Sequence, residues 1–190
     1  TAQPDNFREF GEVARLGHAL GVAKVWSDRV IPAGSDLTTQ MLSPAETSEY
    51  VQLMAEARAA LPAHSKTEIA LHRALQFLEG GNAVYRCTAG DSLITVMPDG
   101  TLYPCRRLPI AMGNAYERPL AELYAAAPMQ AIRQPLVQEG CDSCGFAGQC
   151  QGGLRCLSWA VHGRLDQADP GCELARPTRP PRTRIPIRAT

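Results

Sequence analysis

The chain has 190 residues, 45% of them hydrophobic and 20% charged, with 19 basic and 19 acidic side chains and no net charge. That length builds one domain or two small ones around an ordinary core, and the balanced charge excludes the global basic excess that draws nucleic acid. No apolar run approaches the roughly 18 residues of a membrane span and the N-terminus shows no signal-peptide pattern, so the expectation is a cytoplasmic chain without nucleic-acid or membrane partners.

Residues 1–80 read as helix, strand, helix, helix. Asn6 precedes an apolar face of Phe7, Phe10, Val13, Ala14 and Leu20, with Glu9 placed as in a capping box and Gly21 as a stop. Val22 to Ile31 is rich in β-branched and aromatic residues and predicts a strand ending at Pro32-Ala33-Gly34. Ser43-Pro44-Ala45-Glu46 is a strong helix start: a Ser cap, Pro at the first helical position and Glu as the reciprocal partner. Tyr50, Val51, Met54, Ala57 and Leu61 follow helical spacing, and Pro62 closes the run. Ser65-Lys66-Thr67-Glu68 predicts a third helix, with Ile69, Leu71, Leu75 and Leu78 inside and Gly80-Gly81 at its end. The order is that of an α/β layer. A lone strand makes no parallel sheet, so this segment reads as the end of something larger.

Beyond Gly81 the character changes. Ser92 to Met97 predicts a strand, Pro98-Asp99-Gly100 a tight turn and Thr101 to Tyr103 the return strand. Pro119–Tyr124 and Met129–Arg133 predict short helices. From Cys141 onward there is little periodicity and much Gly, so cohesion has to come from elsewhere, with metal ligation the obvious source. Arg176, Arg179, Arg182, Arg184 and Arg188 alternate with prolines near the C-terminus, and residues 176–190 read as a disordered tail.

Seven cysteines carry the chemistry. Cys87 and Cys105 flank the predicted hairpin, whose turn folds them toward each other. Cys141, Cys144, Cys150 and Cys156 follow as C-x2-C-x5-C-x5-C, and Cys172 comes after Asp169-Pro170-Gly171. An odd count in a cytosolic chain disfavours a disulfide framework. Spacing alone leaves structural zinc, with His162 as an eighth ligand, and iron–sulfur clusters both open. Gly152-Gly153 lets backbone N–H groups approach cluster sulfurs.

The run YRCTAGDSLITVMPDGTLYPC, Gly113-Asn114, PLAELY, CDSCGFAGQCQGGLRC and DPGC resembles a SPASM domain, the auxiliary-cluster extension of many radical S-adenosylmethionine enzymes. The likeness covers roughly Tyr85 to Cys172 and matches at every cysteine. It departs from the commoner pattern in placing five residues, not three, before Cys156. The resemblance implies two 4Fe–4S clusters. Cys87, Cys105 and Cys156 would hold the first, leaving one iron with no assigned cysteine. Cys141, Cys144, Cys150 and Cys172 would hold the second completely. No eighth cysteine lies between Asn82 and Arg86.

The same resemblance sets the wider expectation. The fold class is α+β: a C-terminal remnant of a partial (β/α)6 barrel with bridging helices at 1–80, a SPASM iron–sulfur domain at 81–175, and the tail. "DRVIPAG", with Asp28 and Arg29, resembles the end of the sixth barrel strand, which borders the S-adenosylmethionine pocket in relatives; the plainer reading is an ordinary strand ending in a turn. The C-x3-C-x2-C loop of the radical-generating cluster is absent from these residues. The chain therefore reads as a C-terminal part of a radical enzyme that modifies a peptide or protein. S-adenosylmethionine is expected only in the complete parent. The clusters would serve electron transfer and substrate docking, exchanging electrons with a flavodoxin or ferredoxin. Catalytic residues are not identified, and this chain alone is not expected to be catalytically competent. The competing reading is a zinc-stabilised, non-catalytic binding module.

The remaining candidates have ordinary structural readings. His18, His64 and His72 read as surface or core residues. Tyr85, Tyr103 and Trp159 flank ligands and are expected to shield them from water. Asp99 and Asp169 beside turn glycines read as turn formers.

Overall fold

A computed structural model of the chain describes residues 1–33, 40–80, 83–135 and 138–176. Gly34, the pair Gly81-Asn82 and the Arg/Pro-rich tail beyond Arg176 lie outside the described residues. Two compact units emerge, one from Thr1–Arg86 with Gln138–Thr190, the other from Cys87–Val137. Helices and small sheets coexist in an α+β arrangement, as expected. No described helix is long and apolar enough to cross a membrane.

The first unit is built on two helices. A 3-10 turn at Phe7–Glu9 leads into α1 (Phe10–Ala19), and α2 follows at Pro44–Ala59. The expected capping box at Asn6 does not form. The Asn6 side chain accepts instead from the Gln3 N–H at 3.0 Å, and the Glu9 N–H donates to the Asn6 backbone carbonyl at 3.0 Å. At α2 the box is complete: the Ser43 hydroxyl accepts from the Glu46 N–H and the Glu46 carboxylate accepts from the Ser43 N–H. Phe7, Phe10, Ala14, Tyr50, Val51 and Met54 share one core with Val25, Ile69 and Leu71. The Phe10 and Tyr50 rings meet edge to face at 6.4 Å. Each such large side chain buried contributes about 1.5–3 kcal/mol.

Two sequence expectations are corrected here. The strand predicted over Val22–Ile31 narrows to β1 (Lys24–Val25), and the helix predicted from Ser65 is not formed. Residues Glu68–Ile69 instead make β2, parallel to β1, with Lys24 opposite Glu68 and Val25 opposite Ile69. Thr67 drives the change. Its hydroxyl donates to the Val22 carbonyl at 2.7 Å, and the ladder continues from the Glu68 N–H to Ala23 O and from the Ala70 N–H to Val25 O. These bonds reach more than forty residues back along the chain, so no local pattern announces them. Helical geometry returns only in a 3-10 turn at Gln76–Glu79. β1 therefore has a partner, and the reading of a lone strand falls.

The second unit is the predicted hairpin with two helices. β3 (Thr95–Val96) pairs antiparallel with β4 (Leu102–Tyr103), and α3 (Leu120–Ala125) and α4 (Ala127–Arg133) follow. Gly100 takes φ +84° at the turn, and a side chain there would strike Asn114 and Tyr116. Asn114 fastens the turn: its amide donates to Asp99 O at 2.9 Å and its carbonyl oxygen accepts from the Tyr116 N–H at 2.8 Å. Arg133 holds the base of the unit. It donates to Gly90 O and to Tyr124 O, each at 2.6 Å, and stacks 3.7 Å from the centre of the Tyr124 ring.

Candidate metal centre

The segment 138–176 turns twice and returns to its own beginning. α5 (Ala147–Cys150) is a single turn. α6 (Arg155–His162) is a helix that sequence reading missed, although Gly163 at φ +68° marks its end. After α6 the chain runs back beside Glu139. The Glu139 N–H donates to Asp166 O at 2.8 Å, and the Ala168 N–H donates to Glu139 O at 2.9 Å. Ser158 secures the return from within the helix, its buried hydroxyl donating to Gln167 O at 3.1 Å. Arg176 closes the circuit, its N–H donating to Gly140 O at 3.0 Å.

This return brings Cys172 to the loop that carries Cys141 and Cys144. All three, with Cys150 at the end of α5, line one shared cavity. Leu75, Phe77, Leu78, Phe146 and Leu174 supply its apolar wall. Phe77 and Phe146 meet edge to face at 5.1 Å. Tyr85, Tyr103 and Trp159 flank Cys87, Cys105 and Cys156, none of which lines this cavity.

Electrostatics around the thiols are those of crowded, half-dry sulfur. Burial, then the neighbouring Cys172 and Cys144, push the Cys141 thiol up to about 11. Burial pushes Cys150 up to about 12, against an opposing backbone hydrogen bond from Gly153. Cys172 is also raised by burial, against the opposing backbone N–H groups of Leu174 and Ala175. Each shift marks a thiolate that is costly without a positive counterpart. No disulfide joins any of the seven cysteines. Among the described residues, no three His, Cys, Asp or Glu side chains come together tightly enough to enclose one ion. Four thiols around a shared cavity, with backbone donors at two sulfurs, fit a thiolate-ligated group that supplies positive charge.

The other three cysteines are divided between the units. Cys156 is buried in the first turn of α6, in the first unit. Cys87 and Cys105 belong to the second. There the Gly90 N–H donates to Pro104 O at 2.8 Å, which draws together the segments carrying them. The Arg107 N–H lies 3.4 Å from the Cys105 sulfur as a donor. His162, the candidate eighth ligand, occupies the last turn of α6 and is not among the cavity-lining residues. His18 hydrogen-bonds Ser65 at 2.9 Å and His72 packs against Trp26, both in structural roles.

Asp28, Arg29 and Asp169 are the residues whose roles only the fold reveals. Asp28 is buried, accepts from the Arg29 N–H at 2.9 Å and lies 3.7 Å from Arg73. Arg29 and Asp169 form a bidentate ion pair at 2.8 and 2.6 Å, with side chains only 3% and 1% exposed. Asp169 also lines the four-cysteine cavity. Asp99 and Asp169 are both also the turn formers expected, Asp99 accepting from the Thr101 N–H at 3.0 Å and Asp169 from the Gly171 N–H at 2.9 Å.

Comparison with known proteins agrees with the cysteine pattern. Residues 87–145 match the SPASM family, described as an iron-sulfur cluster-binding domain. A PqqA peptide cyclase from Methylobacterium sp. (strain 4-46) is 35% identical over 92 residues, covering 45% of this chain and 24% of that protein. The PqqA peptide cyclase of Methylobacterium nodulans (strain LMG 21967 / CNCM I-2342 / ORS 2060) is 33% identical over the same length, with the same shares. The matched region thus spans about a quarter of these curated relatives.

Proposed function

We propose that the chain is an iron–sulfur module of a radical S-adenosylmethionine enzyme that modifies a peptide or protein. In this reading Cys141, Cys144, Cys150 and Cys172 hold one 4Fe–4S cluster. Cys87, Cys105 and Cys156 hold a second, with one iron left for a non-cysteine ligand or a substrate atom. The observation that carries it is the shared cavity: Cys172 joins Cys141, Cys144 and Cys150 around one space. The match of residues 87–145 to an iron-sulfur cluster-binding domain supports the same chemistry.

When bound, such clusters supply one-electron transfer and, at an open iron, a Lewis-acid position. The chain's own residues prepare the place. Phe77, Phe146, Leu75 and Leu174 keep water from the four sulfurs. The N–H groups of Gly153, Leu174 and Ala175 stabilise thiolate charge at Cys150 and Cys172. Residues 1–80 are assigned to the end of a partial barrel and 81–175 to the cluster domain. Radical generation is assigned outside these 190 residues, since no C-x3-C-x2-C occurs among them. The substrate class follows the peptide named in the relatives' activity. A flavodoxin or ferredoxin is the proposed electron partner, and the reducing cytoplasm the compartment that preserves seven thiols.

Anaerobic reconstitution with ferrous iron and sulfide tests the reading. The expected result is a brown protein with about eight iron and eight sulfide per chain, bleached by dithionite. Cys141→Ala should remove about half of the iron. A colourless protein with stoichiometric zinc and no sulfide would replace this reading with the zinc-stabilised binding module.

A further inference from the structure

The Asp169 carboxylate is unusual in where it sits and in how fully it is used. It lines the four-cysteine cavity while being 1% exposed. Oδ1 accepts from Arg29 Nη1 at 2.8 Å and from the Gly171 N–H at 2.9 Å. Oδ2 accepts from Arg29 Nη2 at 2.6 Å and from the Leu154 N–H at 3.0 Å. Four donors occupy the four lone-pair directions that a carboxylate offers. The backbone of Asp169 is tied in as well, its N–H donating to Gly152 O and its C=O accepting from the Cys172 N–H. Two glycines crowd the pair. A side chain at Gly153 would come within 2.7 Å of Asp169 Oδ2, and one at Gly171 would strike Arg29 and lie 2.8 Å from Thr47 Oγ1.

We propose that the Arg29–Asp169 pair is a charge-compensating and positioning device for the cluster held by Cys141, Cys144, Cys150 and Cys172; this inference rests on the iron–sulfur reading above. The carboxylate joins the loop after Cys150 to the loop that carries Cys172, and so sets the relative place of two ligands. Its negative charge beside four thiolates would favour the oxidised cluster. Arg29 cancels that charge and occupies the oxygens, so that they do not compete for iron. The remote arginine therefore sets how readily the quartet cluster accepts an electron.

The test is the midpoint potential of the quartet cluster in the full chain, followed by electron paramagnetic resonance in a Cys87→Ala/Cys105→Ala background and at alkaline pH. Arg29→Gln leaves the carboxylate uncompensated. Its reduction equilibrium constant should fall at least tenfold, a shift of about 59 mV downward for a one-electron couple. Arg29→Gln/Asp169→Asn removes both charges and should return the potential toward that of the parent. Arg29→Lys keeps the charge but loses the fork and should shift less than Arg29→Gln. An unchanged potential in loaded Arg29→Gln overturns the proposal, as does a double variant shifted as far as the single one. If Arg29→Gln fails to fold, near-parental potential in a loaded Arg29→Lys protein supports charge compensation. Failure of the lysine variant to load shows that the fork is structural only and overturns it. The parent itself separates the two readings: if it takes up no iron and sulfide, the iron–sulfur assignment fails first and this inference falls with it.

Discussion

At the scale of single residues, two positions concentrate the physics. Asp169 is the bidentate partner of a guanidinium that is 3% exposed. Removing one member of a buried pair leaves the other charge poorly compensated, at a cost of about 3–5 kcal/mol. Asp169→Ala should therefore lower the unfolding free energy of the metal-free chain, read from urea unfolding, by an amount of that order, whereas truncating the exposed partner in Arg8–Glu49 should change it little. Gly100 is the other position. Its φ of +84° and the space taken by Asn114 and Tyr116 leave no room for a side chain. Gly100→Ala should cost about 2 kcal/mol, read from thermal unfolding, without altering thiol reactivity in the first unit.

At the scale of elements, local chemistry decided some and distant pairing the others. The Ser43 capping box formed as its four residues predict, because donor and acceptor lie within one turn. Ser43→Ala should cost about 1 kcal/mol. The Glu46 carboxyl is held below its ordinary range, first by the Ser43 N–H and then by the Ser43 hydroxyl. A depressed carboxyl contributes stability above its unfolded value and loses it as pH falls through the folded one. The gap between parent and Ser43→Ala, measured by urea unfolding, should accordingly narrow on acidification below the ordinary carboxylate range. The segment from Ser65 shows the opposite case. Its capping signal and apolar spacing describe a helix, yet Thr67 and Glu68 find carbonyls at Val22 and Ala23. Those bonds win because β1 would otherwise bury unpaired backbone groups beside Val25. Helix α6, which the sequence expectation lacks, carries boundary signals of its own: Gly152-Gly153 before it and Gly163 after it.

At the scale of the whole molecule, the segment 138–176 has few large apolar side chains, and its return path depends on a short set of hydrogen bonds around Glu139, Asp166 and Ala168. A group ligated by Cys141, Cys144, Cys150 and Cys172 would close that path a second time. Ligation that occurs only in the folded chain adds its free energy to folding. Stripping iron with a chelator under reducing conditions should therefore lower Tm by several degrees and open the 138–176 segment to protease before the hairpin unit. A Tm indifferent to iron would mean that the hydrogen bonds suffice.

The sequence by itself determined the Asp-Gly hairpin, the α2 start, the two short helices after Pro119 and the candidate thiols, because each depends on residues a few positions apart. It also carried the SPASM likeness, through cysteine spacing and the glycines between. Only the tertiary structure decided that residues 68–69 would be strand and that Arg29 would find Asp169 across 140 positions. Those outcomes are choices among competing long-range pairings. Each is won by the arrangement that satisfies buried donors and charges together, and no short window of sequence contains that comparison.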